Sequence, residues 1–212
     1  MPPEFYSADM LFDISEFTAP AGRANGNKDL FAEKTRAAWH SQNKKEARCD
    51  FAPDRWRLNS RGIFFISLWK ASIYGRTLTE IKADDEMPDF FAKNISDFIT
   101  RFFNNSASSA RNFEDWALIT PPPRRHLEHN FAIRTAKLIS ELSGFPFIPD
   151  TAKAKNRQRV MAEFELINLP KAGNILCFDD IVTTGSTFQA MNRILAPYNK
   201  NIIFLTAINN KL

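Results

Sequence analysis

The sequence contains little cysteine and no long apolar segment, and both absences exclude classes of protein. Only two of its 212 residues are cysteines, Cys49 and Cys177. Two cysteines so far apart form neither a zinc-binding pattern nor a disulfide framework, so we expect a reducing compartment. No apolar run approaches the ~18 residues of a membrane span, and no signal peptide opens the chain. These absences predict a soluble, cytoplasmic protein without a membrane partner.

The residues that are present suffice for one α/β domain that carries an extension or a small subdomain. Hydrophobic residues make up 44% of the chain, and twenty phenylalanines and four tryptophans predict an unusually aromatic core. The formal net charge is +4, which is mildly basic. This charge suits a polyanionic small ligand as well as it suits nucleic acid.

The stretch 174–195, NILCFDDIVTTGSTFQAMNRIL, carries the strongest functional pattern of the chain. An unbroken apolar run over Ile175–Phe178 predicts a buried parallel strand. Asp179 and Asp180 stand where we expect that strand to end. A loop of threonine, glycine and serine then leads into a helix that begins near Thr187 and that a proline ends.

Each part of this pattern suits a ribose 5-phosphate. Gly185 permits a positive φ and a close approach of the backbone to a ligand. The N–H groups that open a helix, together with Ser and Thr hydroxyls, can donate to phosphate oxygens. Asp179 and Asp180 can accept two ribose hydroxyls and can stabilise a sugar carbon that becomes cationic as a leaving group departs. An ordinary capped turn of a doubly wound fold is the structural alternative, but the complete string DDIVTTGST favours function.

A second candidate site follows a predicted strand over Trp116–Thr120. In the string PPPRRH, three prolines precede Arg124 and Arg125, which fall at the carboxyl end of that strand, where ligands gather in open α/β sheets. Guanidinium groups bind phosphate oxygens in bidentate fashion. Two arginines placed against the dipole of a following helix indicate an anion between them, and the alternative is a solvated pair.

Two further basic segments keep two interpretations each. Asp150–Arg159 is predicted to be a polar loop, either a lid that closes over pyrophosphate or a plain solvated loop. The segment Lys28–Arg48 is predicted to be a helix that presents a solvated face or contacts nucleic acid. The basic residues of the possible lid are Lys153, Lys155, Arg157 and Arg159.

Hydrophobic periodicity predicts the remaining elements. The clearest is a helix over Pro88–Phe103, whose apolar stripe follows Phe91, Ile95, Phe98 and Phe102. Phe90, Ile99 and Phe103 widen this apolar face. The other predictions are one or two strands within Arg55–Tyr74, a helix from Leu127 or Glu128 to Ser143 that Gly144 ends, a short strand over Phe145–Ile148 and a final strand over Ile202–Ile208. Repeated βαβ units from Trp116 onward predict a mostly parallel sheet with helices on both faces.

The string ILCFDDIVTTGST closely resembles the phosphoribosyl pyrophosphate (PRPP) motif of type I phosphoribosyltransferases. The resemblance implies that Asp179 and Asp180 hold the ribose 2- and 3-hydroxyls. Members that act on hypoxanthine or guanine usually carry an acid at the position of Thr183, so its absence weakens that substrate assignment. The residues implied to cradle the 5-phosphate are Thr183, Thr184, Gly185, Ser186 and Thr187.

The second half of the chain resembles one branch of this family, the ComF-like proteins of DNA uptake. The resemblance rests on PPPRRHLEHNFAIRTAKLI, on NRQRVMAEFEL and on the PRPP motif itself. It implies that Arg124 and Arg125 take charge on the leaving pyrophosphate and that Lys82 matches a family lysine near the site. ComF-like proteins often begin with a four-cysteine zinc module, which this chain lacks.

The family resemblance implies a mostly parallel twisted sheet flanked by helices, with a small hood that we assign to residues before Tyr74. We expect an N-terminal extension over residues 1–55 and a phosphoribosyltransferase domain over 56–212. The predicted reaction transfers 5-phosphoribose from PRPP to a nitrogenous base and releases pyrophosphate, with Asp179 and Asp180 as the catalytic residues. Magnesium would be carried by PRPP, without a dedicated protein site. The alternatives are a PRPP-binding or nucleotide-binding regulator without catalysis and a nucleic-acid-associated protein; a homodimer is the family's common assembly.

Overall fold

A computed structural model describes residues 47–52, 55–105, 115–123, 130–156 and 161–210 of the chain. All of these belong to one compact unit, residues 45–212. The strands of this part are β1 (Arg48–Cys49), β2 (Trp56–Ser60), β3 (Ile63–Lys70), β4 (Arg76–Thr77), β5 (Trp116–Ile119), β6 (Ala152–Ala154), β7 (Phe164–Leu166), β8 (Asn174–Val182) and β9 (Asn201–Asn209). The helices are α1 (Leu78–Ala83), α2 (Met87–Asn105), α3 (Phe131–Ser143) and α4 (Ser186–Leu195), and a 3₁₀ turn covers Ala196–Tyr198.

A five-stranded sheet in the order β2-β3-β9-β8-β5 forms the centre of the protein. Strands β3, β9, β8 and β5 run parallel, and β2 lies antiparallel to β3 at one edge. Parallel strands are normally covered on both faces and therefore consist of nearly continuous apolar runs. Strand β5, WALI, is buried at every residue. The predicted α/β fold with a mostly parallel sheet is confirmed.

Helices cover both faces of the sheet, and the alternation of side chains along β8 shows how. Successive residues of a strand point to opposite faces. Leu176 and Phe178 pack in the apolar cluster that includes α2 and α3. Ile175 and Cys177 pack in a second cluster with α4. The core thus has two halves, one on each side of the sheet.

The core between the sheet, α2 and α3 is rich in aromatic contacts, as the composition predicts. Phe103 meets Trp116 edge to face, with ring centroids 4.7 Å apart. Phe91 meets Phe131 in the same manner at 5.3 Å. Such pairs contribute about 0.5–1.5 kcal/mol beyond their burial. These contacts fix α2 against β5 and α3.

Helix α2 is present as predicted, but the centre of its buried face is displaced. The predicted stripe passed through Phe98 and Phe102. The buried line instead passes through Ile99 and Phe103, whereas Phe102 is 38% exposed. The apolar face of α2 is wide, so its periodicity allows either line. Packing against two partners, the sheet and α3, selects the one that is buried.

Strands β2 and β3 form a hairpin that belongs to the central sheet. The assignment of all residues before Tyr74 to a hood is therefore wrong for residues 56–70. Arg61 and Gly62 make the connection with φ values of 54° and 76°, as in the two-residue turns whose twist matches that of the strands. Residues 1–46 lie outside the described residues, so the hood and the boundary after residue 55 stay predictions.

Three local predictions differ from the structure. The short strand predicted over Phe145–Ile148 is a single parallel bridge between Phe147 and Leu118. Arg48, the predicted end of a helix, lies instead in strand β1, which pairs with β4. Part of the predicted loop Asp150–Arg159 forms β6, which pairs with β7. In each case a pairing partner distant in sequence decides the local structure.

The end of α3 and the last strand agree with their predictions. Helix α3 ends at Gly144, which adopts the left-handed conformation with φ 78°, and its N-cap is Asn130. The predicted start of this helix at Leu127 or Glu128 is wrong, because the helix begins at Phe131, after the extended backbone of Asn130. None of the described helices is both long and apolar enough to cross a membrane.

The neighbouring residues Phe103 and Phe102 test the orientation of α2. We expect Phe103→Ala to lower the free energy of unfolding by about 3–5 kcal/mol, because it removes a fully buried ring. Phe102→Ala, the matched control, should lower it by less than half as much. Urea unfolding followed by circular dichroism measures both. Equal losses would contradict the packing of α2 described here.

Candidate functional site

Strand β8 continues past the end of its neighbour β5. The last paired residues of the two strands are Ile119 and Cys177, whereas β8 extends along β9 to Val182. The prediction that the strand ends before Asp179 and Asp180 is therefore wrong, because both acids lie within it. They nevertheless lie at a free edge of the sheet, since β5 has already ended beside them.

A cleft of about 570 Å³ opens beside this overhang. Its walls come from the end of β8 with the loop that follows, from helix α1, from the prolines after β5 and from the residue after β9. The cleft therefore lies at the carboxyl ends of parallel strands, where open α/β sheets bind ligands. Its lining residues are Leu78, Thr79, Lys82, residues 121–123, Asn130, Ala132, residues 179–185, Thr187 and Asn210.

The two carboxylates are fixed by the backbone that carries them. Oδ1 of Asp179 accepts the N–H of Asp180 at 3.0 Å, and Oδ1 of Asp180 accepts the N–H of Ile181 at 2.7 Å. Oδ2 of Asp180 lies 2.6 Å from Nζ of Lys82. One oxygen of each acid is thus held by the strand, and the lysine engages the second oxygen of Asp180.

Burial and a neighbouring acid change the titration of Asp179. Burial, followed by the charge of Asp180, raises the pKa of Asp179 from 3.8 to about 8, and Lys82 lowers it in part. The carboxyl of Asp179 therefore holds a proton at neutral pH. A ligand that needs both carboxylates as acceptors has to displace that proton.

Helix α1 brings Lys82 to the acids, although it is only one and a half turns long. Its N-terminus has a capping box: Oγ1 of Thr77 accepts the N–H of Glu80 at 3.1 Å, and Glu80 accepts the N–H of Thr77 at 2.7 Å. The N–H of Thr77 and its hydroxyl both donate to the carboxylate of Glu80, and these two hydrogen bonds lower its pKa. At its C-terminus, the C-cap residue Asp84 pairs with Arg76 of β4 at 2.7 Å. Lys82 therefore projects from a helix that is fastened at both ends.

The loop after β8 turns at Gly185, which has the positive φ that the sequence predicts, 73°. A Cβ at this position would lie 2.8 Å from Oγ of Ser60. The same hydroxyl donates to the carbonyl of Thr184 at 2.9 Å, and Ser60 is buried. The loop is therefore packed tightly on the end of β2, and glycine is needed both for its conformation and for the close approach.

Helix α4 begins one residue earlier than predicted, at Ser186, and Thr187 lines the cleft. The N–H of Ser186 donates to Oγ1 of Thr184 at 3.4 Å. The hydroxyl of Ser186 accepts the N–H of Ala162 at 3.3 Å, away from the cleft lining. The start of this helix therefore offers an anion its backbone and Thr187, while the Ser186 hydroxyl serves another contact.

The structure brings together some of the predicted site residues and not others. Lys82, Asp179, Asp180 and the 183–185 loop share the cleft. Lys153 of β6 pairs with Glu165 of β7 at 3.6 Å, and Lys155, directly after β6, is exposed. Neither lysine lines the cleft. Pro123 lines the cleft, and the two arginines predicted to bind pyrophosphate follow it directly in the sequence. The predicted residues outside the described part of the chain are Arg124, Arg125, Arg157 and Arg159.

Sequence reasoning missed several residues of the site. Asn210 lines the cleft, and its N–H donates to the carbonyl of Val182 at 2.7 Å. The rule that carboxyl ends of parallel strands share an edge would have identified Asn210, since it follows the last strand. Ser60 carries no such signal, because its contact with the loop joins residues 124 positions apart.

The cleft has few groups for a metal ion. Among the described residues, no group of three or more His, Cys, Asp or Glu side chains could hold one. Asp179 and Asp180 are oxygen ligands of the kind that Mg²⁺ accepts, but two carboxylates do not complete its six-coordinate shell. A magnesium ion here would take its other ligands from a bound substrate and water.

Comparison with solved structures finds proteins of similar architecture. Adenine phosphoribosyltransferase from Saccharomyces cerevisiae is 14% identical, with 82% of this chain and 89% of that chain covered and a TM-score of 0.43. Hypoxanthine phosphoribosyltransferase from Staphylococcus aureus is 11% identical, with coverages of 61% and 75% and a TM-score of 0.41. Orotate phosphoribosyltransferase from Aeropyrum pernix is 12% identical, with coverages of 81% and 80% and a TM-score of 0.39. No protein-family model and no curated protein matches the sequence. Similarity at these TM-scores assigns no function to this chain. An assignment of function has to come from the residues of its own cleft.

Two glycines with the same backbone conformation test the packing of the loop. We expect Gly185→Ala to destabilise the protein by about 1–3 kcal/mol more than Gly144→Ala. Both glycines have a positive φ, but a Cβ at Gly144 meets nothing within 4 Å. The additional Ser60→Gly substitution should recover part of the Gly185→Ala loss, because it removes the atoms that collide. Urea unfolding of the three variants would contradict this account if the two alanine substitutions had equal effects.

The shifted pKa of Asp179 predicts a pH dependence of stability. Between pH 3.8 and about 8 the folded state holds a proton that the unfolded chain releases, so rising pH favours unfolding. We expect Asp179→Asn to be more stable than the wild type by a margin that grows from about pH 4 to about pH 8. Urea unfolding of both proteins across this range measures the margin, and a constant margin would contradict the shift.

Proposed function

We propose that the cleft binds PRPP together with Mg²⁺ and that the protein is a phosphoribosyltransferase. In the proposed reaction 5-phosphoribose moves to a nitrogen atom of a base, and pyrophosphate leaves. One observation carries the proposal: two adjacent carboxylates and the Gly185 turn, at the start of a helix, line a single cleft. The resemblance of the sequence to the PRPP motif, and to the ComF-like branch, supports the same reaction.

In this proposal Asp179 and Asp180 accept the two ribose hydroxyls. As the bond between the sugar carbon and pyrophosphate breaks, positive charge develops on the carbon and its ring oxygen. Fixed negative charge beside that carbon stabilises the transition state more than the ground state. Both acids act in this way only when they are ionised, so binding of the cationic metal with its substrate is coupled to loss of the proton from Asp179.

The 5-phosphate would occupy the turn between β8 and α4. Backbone N–H groups at a helix start and the helix dipole both favour an anion there. Hydroxyls of Thr183, Thr184 and Thr187 add donors from residues that line the cleft. The backbone of Gly185 can approach the phosphate closely, because it has no side chain.

Pyrophosphate would bind next to Lys82. This lysine pairs with Asp180, so a bound pyrophosphate would give the ammonium group a second anionic partner. We assign Arg124 and Arg125 to the same anion, because they directly follow Pro123, which lines the cleft. Lys153, Lys155, Arg157 and Arg159 keep the proposed role of a lid.

The acceptor base would bind against the part of the cleft wall that the phosphate groups do not contact. Leu78 and Thr79 on α1 and Asn210 after β9 line these walls. The chemistry requires a nitrogen lone pair that forms the new bond to the sugar carbon while the bond to pyrophosphate oxygen breaks, after which the nitrogen loses a proton. Thr183 in place of an acid speaks against hypoxanthine or guanine as the base.

Calorimetric titration of PRPP, with and without magnesium, tests the site. We expect magnesium-dependent binding by the wild type and by Asp97→Asn, an exposed acid on α2 that serves as the control. The double variant Asp179→Asn/Asp180→Asn should lose that binding while it remains folded. Equal binding by the double variant would refute the assignment of the carboxylates.

Pyrophosphate release then separates catalysis from regulation. Wild-type protein should release pyrophosphate from PRPP in the presence of at least one base of a screened set. Asp180→Asn should lower that rate by about a hundredfold, a typical loss for one group that stabilises transition-state charge. Binding of PRPP without release for any base would favour a regulator that senses PRPP or a nucleotide.

A further inference from the structure

The β6–β7 arm, residues 151–156 and 161–168, stands outside the central sheet and packs on α4. Its two strands form a separate antiparallel pair. Ala152, Ala162 and Phe164 of the arm lie in the same apolar cluster as Phe188 and Met191 of the helix. The base of the arm is therefore part of the core, on the side of the sheet opposite to α2 and α3.

Two side chains of α4 hold the backbone of Ala162. Its N–H donates to Oγ of Ser186 at 3.3 Å, and its carbonyl accepts from the guanidinium of Arg193 at 3.2 Å. Ala162 is 1% exposed and Ser186 is 3% exposed. Backbone groups buried this deeply need a partner, and each one left unpaired is destabilising. The arm is thus fastened to the helix at one residue by two hydrogen bonds.

Ser186 belongs to the proposed phosphate turn as well as to this attachment. It directly follows Gly185, and its own N–H donates to Thr184. On the other side of the turn, Ser60 donates to the carbonyl of Thr184. The turn is therefore held between two anchors, β2 through Ser60 and the arm through Ser186.

The two residues that flank Ala162 are hydrogen-bonded to the opposite half of the arm. The N–H of Lys155 donates to the carbonyl of Glu163 at 2.9 Å, and the amide of Asn156 donates to the carbonyl of Met161 at 2.9 Å. The two halves of the arm are therefore hydrogen-bonded to each other at both neighbours of Ala162. A shift of its backbone moves the part of the arm that carries the basic residues.

We propose that Ser186 is a positioning residue that couples the phosphate turn to the β6–β7 arm. Its backbone is part of the turn that would bind the 5-phosphate, and its hydroxyl holds the arm. An anion that orders the turn thereby restrains Ala162 and the arm, and an arm that is pulled away from α4 loosens the turn. The identity of the ligand in this inference rests on the proposed function, whereas the contact between arm and turn does not.

Amide hydrogen exchange with ribose 5-phosphate as the probe tests the coupling. In the wild type, the probe should slow exchange of the turn and also of residues 161–166 in the arm, by about fivefold or more, the lower end of typical coupling between sites. In Ser186→Ala it should still slow exchange of the turn but no longer that of the arm. The same protection of the arm in both proteins would overturn the proposal.

Two controls separate coupling from a purely structural role of Ser186. Arg193→Gln removes the other hydrogen bond to Ala162 and lies outside the turn. Its arm should exchange faster without ligand, yet still respond to the probe. Ser186→Thr keeps the hydroxyl and should restore the response of the arm. Loss of the response in Arg193→Gln would show that any loosening of the arm abolishes it, which would overturn the role of Ser186.

A comparison without ligand decides the inference even if the proposed function fails. Ser60→Ala removes the opposite anchor of the turn, so it should speed exchange of the arm in the wild-type background. In the Ser186→Ala background it should add no further change. No effect of Ser60→Ala on the arm of the wild type would refute the coupling. If ribose 5-phosphate protects no part of the turn, the proposed ligand is wrong, and this comparison alone decides the coupling.

Discussion

The candidate site depends on a difference in length between two neighbouring strands. Strand β5 ends at Ile119, opposite Cys177, whereas β8 continues to Val182 on the support of β9 alone. Carboxyl ends of parallel strands share one edge, so whatever follows each strand meets beside this overhang. The prolines after β5, the turn after β8 and the residue after β9 become the walls of the cleft. No strand of the described chain pairs with Asp179 and Asp180 on that side, and both residues line the cleft.

The overhang places two acids of like charge side by side, which is unfavourable in a partly buried position. Two features neutralise them, the ammonium group of Lys82 on Asp180 and a proton on Asp179. Neither is permanent: the proton exchanges with solvent, and the lysine is half-exposed. Because two carboxylates without partners are unfavourable in this cleft, the cleft favours a ligand that brings a cation and hydroxyl donors.

Local sequence patterns could predict the parts of the fold that depend on local chemistry. Apolar runs are sufficient for β5, β8 and β9, and Gly185 has the predicted positive φ because no other residue adopts that conformation as readily. Patterns could not predict what distant partners decide. The pairing of β6 with β7, the contact of Ser60 with the turn and the choice of Phe103 over Phe102 as a buried ring each require a neighbour far away in sequence.

The same distinction explains why the sequence singled out Ser186 but not its contact. Within the motif, a serine at a helix start suits a phosphate, and its backbone occupies that position. Its hydroxyl is turned to Ala162, because the arm packs on α4 and leaves a buried N–H that needs an acceptor. The short hydroxyl side chain of Ser186, at the start of α4, provides the acceptor for this N–H. The turn between β8 and α4 and its attachment to the arm thus share one residue, Ser186, through which we propose that ligand occupancy and arm position are coupled.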